Sequence, residues 1–238
     1  MSTLRVADTL EGVSESIEVN VVRVFTTESG ELGNKLGIVW SSEATRGREQ
    51  VLAAEIGFSE TVFVESVIGG VATIGIYTPA VELPFAGHPS VGVAWWLNRH
   101  DTPVTTLAEK AGDVAVRYDG DLTWIAGRAE WTPTFVWRPL ATPADVDALD
   151  PDSVTAGPDY AYAWINQSTG TLRARMFAPH LGVREDEATG AAAVSITARL
   201  AQNLEITQGR GSRIHTTLLS DGFVEIGGRT VADESFTI

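Results

Sequence analysis

Two stretches of this chain follow the same order of a strand-like segment, a loop of small residues and an apolar helix. Ile76–Pro79 corresponds in pattern to Met176–Pro179 at an offset of 100 residues, and Gly87 with its helix corresponds to Gly190 at an offset of 103. Both helices are apolar on nearly all sides, which is typical of buried helices. The repeat predicts two similar β-rich halves, each wrapped around a central helix. Chance similarity between short segments is the alternative.

Strand-like and helix-like segments alternate along the chain. Residues 1–16 are polar and acidic and are expected to form a tail. Beyond them, β-branched runs predict strands, and apolar residues at helical spacing predict helices. The sequence therefore predicts an α+β fold. The strands are expected at 18–25, 35–40, 61–66, 73–78, 114–118, 122–126, 161–166, 172–179, 214–219, 223–226 and 230–238, and the helices at 41–56, 90–99 and 191–200.

Composition excludes several classes of function. The 238 residues contain no cysteine, and 17 Lys and Arg stand against 31 Asp and Glu, for a net charge of −14. Without thiols the chain has no disulfide scaffold, thiolate metal site or cysteine nucleophile. A surface this negative repels phosphate backbones and anionic lipid, so neither nucleic acid nor a membrane is expected as a partner. The N-terminal segment lacks the apolar core of a signal peptide, and a cytoplasmic location is expected.

The two repeated loops each lead into a helix N-terminus. Such ends offer unpaired N–H groups and the positive end of a helix dipole. One lies near Gly87-His88 and the other near Thr189-Gly190. If the halves face each other, both ends point into one cleft, where they would hold a carboxylate and stabilise an enolate-like charge. The alternative is that these are ordinary capped helix starts.

Three ionisable residues near these loops are candidates for chemistry. Glu60 precedes an apolar strand, and burial in a cleft would raise its pKa into the range of an acid/base; the alternative is a surface turn. His88 is either a structural hydrogen-bonding residue or a catalyst. Asp186 could cap the following helix or pair with a protonated His88. No group of other candidate catalytic residues accompanies His100, His180 or His215 in the sequence.

The common cofactor and nucleophile motifs are missing from the sequence. We find no GxGxxG after a strand, no GxxxxGK[ST], no HExxH and no GxSxG. Metal binding by Glu60, His88 and Asp186 is conceivable, but their spacing does not require it. We therefore expect no metal and no cofactor.

Several motifs together resemble a known family. They are Ser59–Val64, Ile76–Gly92, Glu185–Ala192, Asn34 after a glycine, and the late Gln208-Gly209 with Ser212. In this order they resemble the PhzF-like isomerases of phenazine biosynthesis, over about residues 18–232. The segment that contains His88 is the most specific of them.

The resemblance implies a fold and a set of roles. The fold is diaminopimelate-epimerase-like, with two pseudo-symmetric halves, each a β-barrel-like sheet around a central helix, and the active site between them. Glu60 would be the acid/base, with His88 and Asp186 as substrate-binding and proton-handling partners. Family members commonly form homodimers and need no cofactor, so the same is expected here, with a small-molecule carboxylate as substrate. The residues implied to bind the substrate are Gly87, Thr189, Gly190, Ala191 and Asn34.

The predicted domains follow from this two-half pattern. The N-terminal half is residues 1–112 and includes Glu60 and the His88 loop; the C-terminal strand 228–238 joins it. The C-terminal half is residues 113–227 and contains the loop from Asp186 to Gly190.

The sequence also departs from the family pattern. Ala191 and Glu187 stand where the family often has Ser and Pro, Lys35 replaces a usual Pro, and the loop at 210–211 is short. These changes make the family's dihydro-hydroxyanthranilate substrate uncertain. The predicted function is a cofactor-independent isomerase that moves a proton on a small carboxylate by general acid/base catalysis. The alternatives are a lyase or cyclase of secondary metabolism, or a catalytically idle small-molecule binding protein.

The lack of cysteine also separates neighbours within this fold. The epimerases that share it use a pair of opposed cysteines as acid and base. Here the corresponding loops contain His88 and Asp186. Two-thiol racemisation is therefore excluded, and proton shuttling by one carboxylate remains.

Overall fold

The computed structural model describes residues 16–154, 157–179 and 182–238, so the expected tail, except for its last residue, and His180 lie outside the described residues. Sixteen strands and four α-helices occupy this part of the chain. The strands are β1 (Glu18–Val24), β2 (Asn34–Trp40), β3 (Thr61–Ile68), β4 (Val71–Tyr77), β5 (Glu82–Leu83), β6 (Thr106–Glu109), β7 (Gly112–Asp119), β8 (Leu122–Gly127), β9 (Val136–Pro139), β10 (Asp159–Asn166), β11 (Thr171–Ala178), β12 (Val183–Asp186), β13 (Glu205–Gln208), β14 (Ser212–Leu218), β15 (Val224–Ala232) and β16 (Phe236–Thr237). The helices are α1 (Glu49–Ile56), α2 (Gly87–Arg99), α3 (Pro143–Asp147) and α4 (Gly190–Leu200).

The strands of the first half close into a ring of eight. The order is β1, β2, β3, β4, β6, β7, β8 and β15, and the antiparallel pair of β15 with β1 completes it. Closure removes unpaired strand edges, which would otherwise invite aggregation. Helix α2 packs against the inner side of this ring, in contact with β1, β8 and β15.

The second half repeats the pairing pattern of the first. In the first half β2 pairs parallel with β3, β3 antiparallel with β4, β4 parallel with β6, and β6 antiparallel with β7. In the second half β9, β10, β11, β13 and β14 pair in the same sequence of directions. Helix α2 follows β5, and α4 follows β12. The prediction of two pseudo-symmetric halves, each with a sheet around a central helix, is confirmed.

Strand β15 joins the two halves. Its residues Val224–Arg229 pair with β8, and Thr230–Ala232 pair with β1. The sequence predicted a break at Gly227-Gly228, and this prediction is wrong because both glycines lie inside the strand. A β-carbon on Gly227 would lie 2.2 Å from the Trp124 ring, so these glycines provide room for close packing rather than a turn.

The first predicted helix is shorter than expected. We predicted helix over 41–56, but α1 begins at Glu49. The Ser42 N–H is bonded to the Thr45 side chain at 2.8 Å, and Gly47 has a φ of +76°, so the chain makes turns before the helix. Short hydroxyl side chains compete in this way with helical hydrogen bonds.

The two central helices form the middle of the core. Val91 and Leu97 of α2 and Val194 and Ile196 of α4 are fully buried. Each such side chain contributes about 1.5–3 kcal/mol by leaving water. Among the described residues, no helix is both long and apolar enough to cross a membrane.

Candidate active site

The N-termini of α2 and α4 touch each other through two glycines. A β-carbon on Gly87 would lie 2.7 Å from the Gly190 backbone, and one on Gly190 would lie 2.8 Å from the Gly87 Cα and the His88 nitrogen. A β-carbon does not fit this close to backbone atoms. Glycine at both positions therefore allows the two helix ends to meet at the junction of the halves.

Neither helix end is capped by its own N-cap side chain. Ala86 has no side-chain acceptor, and the Thr189 hydroxyl does not bond to its own helix. The first N–H groups of an α-helix have no partner within the helix. Within the described part of the chain, amides at both helix ends and two positive dipole ends are thus available, side by side, for an anion.

Glu60 lies immediately before β3, where the loop from α1 enters the sheet. Its side chain is 19% exposed, and its Oε2 has no hydrogen-bond partner within the described residues. Burial raises the pKa of Glu60 to about 7, and a hydrogen bond from the Ser59 side chain partly opposes this rise. A carboxyl group with this pKa can both take and return a proton near neutral pH.

His88 is the second residue of α2, and its ring is buried against Glu60. The distance between His88 Nε2 and Glu60 Oε2 is 3.4 Å. Burial lowers the pKa of His88 to about 4, although the Asp186 charge and a backbone hydrogen bond with Lys35 favour its protonated form. The imidazole is therefore neutral at pH 7 and presents its Nε2 to the Glu60 carboxyl.

Asn34, the first residue of β2, connects the two loops. Its Nδ2 donates to Asp186 Oδ1 at 2.7 Å and to the Ala188 carbonyl at 3.1 Å. These two bonds use both hydrogens of the amide group. The 3.5 Å contact with His88 Nδ1 is therefore a close approach and not a third hydrogen bond.

Asp186 ends β12 and contributes a carboxylate from the second half. Asn34 donates to its Oδ1, and the Thr189 hydroxyl donates to its Oδ2 at 2.6 Å. Burial and the nearby Glu60 charge raise the pKa of Asp186 to about 6, against the opposing effects of His88 and the two hydrogen bonds. At pH 7 this group is mostly ionised.

A buried amide behind Asp186 holds the loop in place. Gln208 Nε2 donates to the Thr189 hydroxyl at 2.8 Å and to the Asp186 carbonyl at 3.0 Å, while its Oε1 accepts from Tyr160. The sequence marked Gln208 only as part of a motif and gave no signal for Tyr160. Their arrangement depends on the pairing of distant strands and has no local sequence pattern.

The residues that depart from the family pattern also have visible partners. Glu187 accepts from the Arg210 backbone at 3.1 Å and from the Ser212 hydroxyl at 2.9 Å, so it fastens its loop to the short turn at 210–211. Lys35 pairs with Asp233 at 3.4 Å. Ala191, one residue into α4, is half-buried at the position corresponding to His88 in α2.

The structure thus brings the predicted site residues together from both halves. Glu60, His88 and Asn34 come from the first half, and Asp186 and Thr189 from the second. His100 and His215 lie elsewhere: His100 bonds to the Trp96 carbonyl and His215 packs near Trp124. Within the described ranges no group of three or more His, Asp or Glu side chains has metal-site geometry.

The fold has the architecture of the diaminopimelate-epimerase-like enzymes, and comparison with solved structures agrees. A phenazine biosynthesis protein of the PhzF family from Enterococcus faecalis superposes with a TM-score of 0.76 at 18% identity, covering 94% of this chain and 99% of that one. A hydroxyproline epimerase from Agrobacterium vitis superposes with a TM-score of 0.60 at 11% identity, covering 94% and 92%.

Sequence comparison then identifies the family. A family model described as phenazine biosynthesis-like protein matches residues 22–138 and 128–221. A trans-2,3-dihydro-3-hydroxyanthranilate isomerase of Pseudomonas chlororaphis is 31% identical over 75% of this chain and 78% of its own length. An uncharacterized isomerase of Deinococcus radiodurans is 27% identical over 76% and 75%. This chain belongs to the PhzF-like isomerase family, so the predictions of the family and of an isomerase are confirmed.

Proposed function

We propose that this protein moves a proton between carbon atoms of a small carboxylate-bearing substrate, with Glu60 as the acid/base and without a cofactor. One observation carries the proposal. Among the residues that the structure describes, one oxygen of the Glu60 carboxyl has no hydrogen-bond partner; the pKa of this group is about 7, and it faces a neutral His88 beside two helix ends without side-chain caps. These are the parts that a proton transfer next to a carboxylate needs.

In this proposal the two halves divide the work. Glu60 removes the proton from one carbon and returns it to another, and the neutral His88, 3.4 Å from the Glu60 carboxyl, binds the substrate beside it. The amides at Gly87 and Gly190 hold the substrate carboxylate and the negative charge that develops beside it. Asp186, held by two hydrogen bonds, handles protons on the opposite side of the site.

The remaining predicted binding residues act close to these groups. The side-chain hydrogens of Asn34 are used by Asp186 and Ala188, and the Thr189 hydroxyl donates to Asp186. We therefore assign both residues to the part of the site that orients Asp186 towards the substrate. Ala191 would contribute only a methyl group and its backbone to the wall of the site.

The substrate class follows from the site and from the relatives. The site favours a carboxylate whose neighbouring C–H is acidified by unsaturation, since a carboxylate base of pKa about 7 removes only activated protons. The Pseudomonas relative is named for trans-2,3-dihydro-3-hydroxyanthranilate, which belongs to this class. Because Ala191 lacks the hydroxyl of the usual family residue, we place this compound in the test panel and not in the assignment.

The test is incubation with a panel of unsaturated amino and hydroxy acids in heavy water, including that compound. We expect one member to gain a single deuterium while its isomer forms with unchanged mass in ordinary water. A product of different mass would identify a lyase or cyclase instead. Binding of panel members without any exchange would identify a binding protein.

The decisive variant is Glu60→Gln, with Glu65→Gln as its matched control on the exposed face of β3. General acid/base catalysis contributes typically 10²–10⁴-fold, so we expect turnover to fall by about that factor in Glu60→Gln. The control should keep its activity, and both variants should keep a single cooperative unfolding transition in urea. Unchanged turnover in Glu60→Gln would remove Glu60 from the mechanism.

Three further properties belong to the same proposal. A homodimer is supported by the family resemblance, and a cytoplasmic location is proposed with it. The net charge of −14 argues against nucleic acid and anionic membranes as partners. Light scattering on the purified protein tests the dimer, and a monomer at micromolar concentration would reject it.

A further inference from the structure

A second buried carboxyl group lies outside the cluster of Glu60, His88 and Asp186. Glu109 ends β6, is only 9% exposed, and places its Oε1 at 2.5 Å from the Ser90 hydroxyl. Its Oε2 has no hydrogen-bond partner within the described residues. Carboxyl groups are rarely buried without a cation beside them, so this arrangement requires an explanation.

The Ser90 hydroxyl has two neighbours and one hydrogen. It lies 2.7 Å from the Ala86 carbonyl oxygen as well as 2.5 Å from Glu109. The carbonyl can only accept, so both contacts are hydrogen bonds at the same time only when Ser90 donates to Ala86. The short contact between Ser90 and Glu109 is then a hydrogen bond only if Glu109 carries a proton and donates it.

The peptide that receives this chain of hydrogen bonds is the one that leads into α2. The Ala86 carbonyl also accepts from the Ser90 backbone N–H at 3.2 Å, so it points along the helix. In a trans peptide the N–H points opposite to the carbonyl. The Gly87 N–H on the same peptide is therefore directed out of the helix end, where the proposed function places the substrate carboxylate.

We propose that Glu109 and Ser90 are positioning residues for the carboxylate-binding end of α2. The protonated carboxyl of Glu109 donates to Ser90, Ser90 donates to the Ala86 carbonyl, and this fixes the plane of the Ala86–Gly87 peptide. Ionisation of Glu109 would draw the Ser90 hydrogen away from Ala86 and release that plane. The inference rests on the proposed function for the role of the Gly87 amide, but the coupling of Glu109 to this peptide can be tested separately.

The electrostatic surroundings agree with a neutral Glu109. Burial raises the pKa of Glu109 to about 8. Among charged neighbours, Lys110 is paired with Glu82 of β5, Asp113 of β7 is exposed, and His88 of α2 faces Glu60. None of these side chains supplies a cation to Glu109.

The experiment follows the backbone amide resonance of Gly87 by NMR as the pH is raised through about 8. In the parent protein we expect two transitions, one from Glu60 and a higher one from Glu109. Glu109→Gln keeps a donor to Ser90, so it should remove the higher transition and leave only the transition from Glu60. The matched control is Ser195→Ala, which removes a hydroxyl of α4 that bonds to the Thr132 side chain. It should keep both transitions.

A binding measurement accompanies the titration. Anthranilate serves as the carboxylate probe and anthranilamide as its neutral counterpart. We expect Ser90→Ala to weaken anthranilate binding about fivefold, the effect of one lost hydrogen bond, without weakening anthranilamide. Below pH 8, Glu109→Gln should bind anthranilate as tightly as the parent does. Above pH 8 it should bind anthranilate more tightly than the parent.

The two measurements separate the two proposals. If the Gly87 resonance keeps its higher transition in Glu109→Gln, the positioning role is overturned, whether or not the protein binds anthranilate. If the transition disappears but anthranilate does not bind the parent protein, the positioning role stands and the carboxylate site of the proposed function fails.

Discussion

The N-terminal turns of α2 and α4 have the same backbone pattern but different chemistry. At the offset of 103 residues, Leu83 corresponds to Asp186, and His88 corresponds to Ala191. The first half therefore supplies an imidazole where the second has a methyl group, and the second supplies a carboxylate where the first has an apolar side chain. Both halves keep the glycine at which the helices touch.

This difference shows what each part of the repeat contributes. The repeated features are the glycines and the helix ends without side-chain caps, and the proposed function places the substrate carboxylate there. The unrepeated features, together with Glu60 from the first half alone, make the proton chemistry one-sided. A symmetric pair of bases suits racemisation at one carbon, whereas one carboxyl group facing one imidazole suits movement of a proton from one carbon to another.

The largest effect is expected from breaking the shared feature. In Gly190→Ala the new β-carbon would lie 2.8 Å from the backbone of the opposite helix, so the two helix ends must move apart. Overpacking of this kind costs about 1–3 kcal/mol, and we expect the upper end because backbone atoms cannot turn aside. Urea unfolding should show this loss, and isomerase activity should disappear.

Gly47→Ala is the control for that experiment. Gly47 has a φ of +76° but no atom within 4 Å of a new β-carbon, so its substitution tests backbone strain without a clash. We expect a cost of about 1 kcal/mol and full activity. A stable and active Gly190→Ala would show that the contact between the helix ends is unnecessary.

The repeat also explains how much the sequence could predict. The pattern shared by the two loops predicted the two halves, and the resemblance to the PhzF-like family implied that Glu60, His88 and Asp186 share one site. Glu109 gave no signal, because a single acid at the end of a short strand is typical of a surface position. Its burial depends on the docking of α2 against distant strands, which has no local pattern in the sequence.

The next effect comes from removing the charge that the second half supplies. Asp186→Asn keeps the shape of the side chain but loses the carboxylate that accepts from Asn34 and Thr189. Hydrogen bonds to charged groups contribute about 1.5–3 kcal/mol, so we expect kcat/KM to fall about 10–100-fold. The exposed Asp101→Asn is the control. Unchanged kcat/KM in Asp186→Asn would mean that Glu60 and His88 act without the second half.

A smaller effect is expected in the dependence of stability on pH. Burial raises the pKa of Glu60 to about 7 and of Glu109 to about 8, so the folded protein keeps protons that the unfolded chain has lost. Their contribution is complete below the ordinary value of 4.5 and is lost as pH rises through about 7 and 8. The lowered pKa of His88 acts in the opposite direction, but only between about 4 and its ordinary 6.5.

Above pH 6.5 the two carboxyl groups therefore act without opposition from His88. We expect the free energy of unfolding, measured in urea, to decrease as pH rises from about 6.5 to about 8. Glu109→Gln removes one of the two titrating carboxyl groups. The slope of the unfolding free energy against pH should therefore become less steep by up to about 1.4 kcal/mol per pH unit. An equal slope in parent and variant would show that Glu109 is ionised throughout.

The smallest effect is expected from making the N-terminal turns of the two helices less different. Ala191 is half-buried in the first turn of α4, and Ala191→Ser restores the hydroxyl that the family often has there. Serine fits this position, so stability should change by less than about 0.5 kcal/mol.

If a substrate hydroxyl or amine lies beside this residue, one added hydrogen bond should raise kcat/KM for trans-2,3-dihydro-3-hydroxyanthranilate about fivefold. The proposed contacts to the carboxylate are backbone amides present in both proteins, so KM for carboxylate substrates without such a hydroxyl or amine should not change. An equal gain in kcat/KM for every substrate would instead show that the serine acts on the helix end itself. The two helix N-termini would then differ in anion binding as well as in proton transfer.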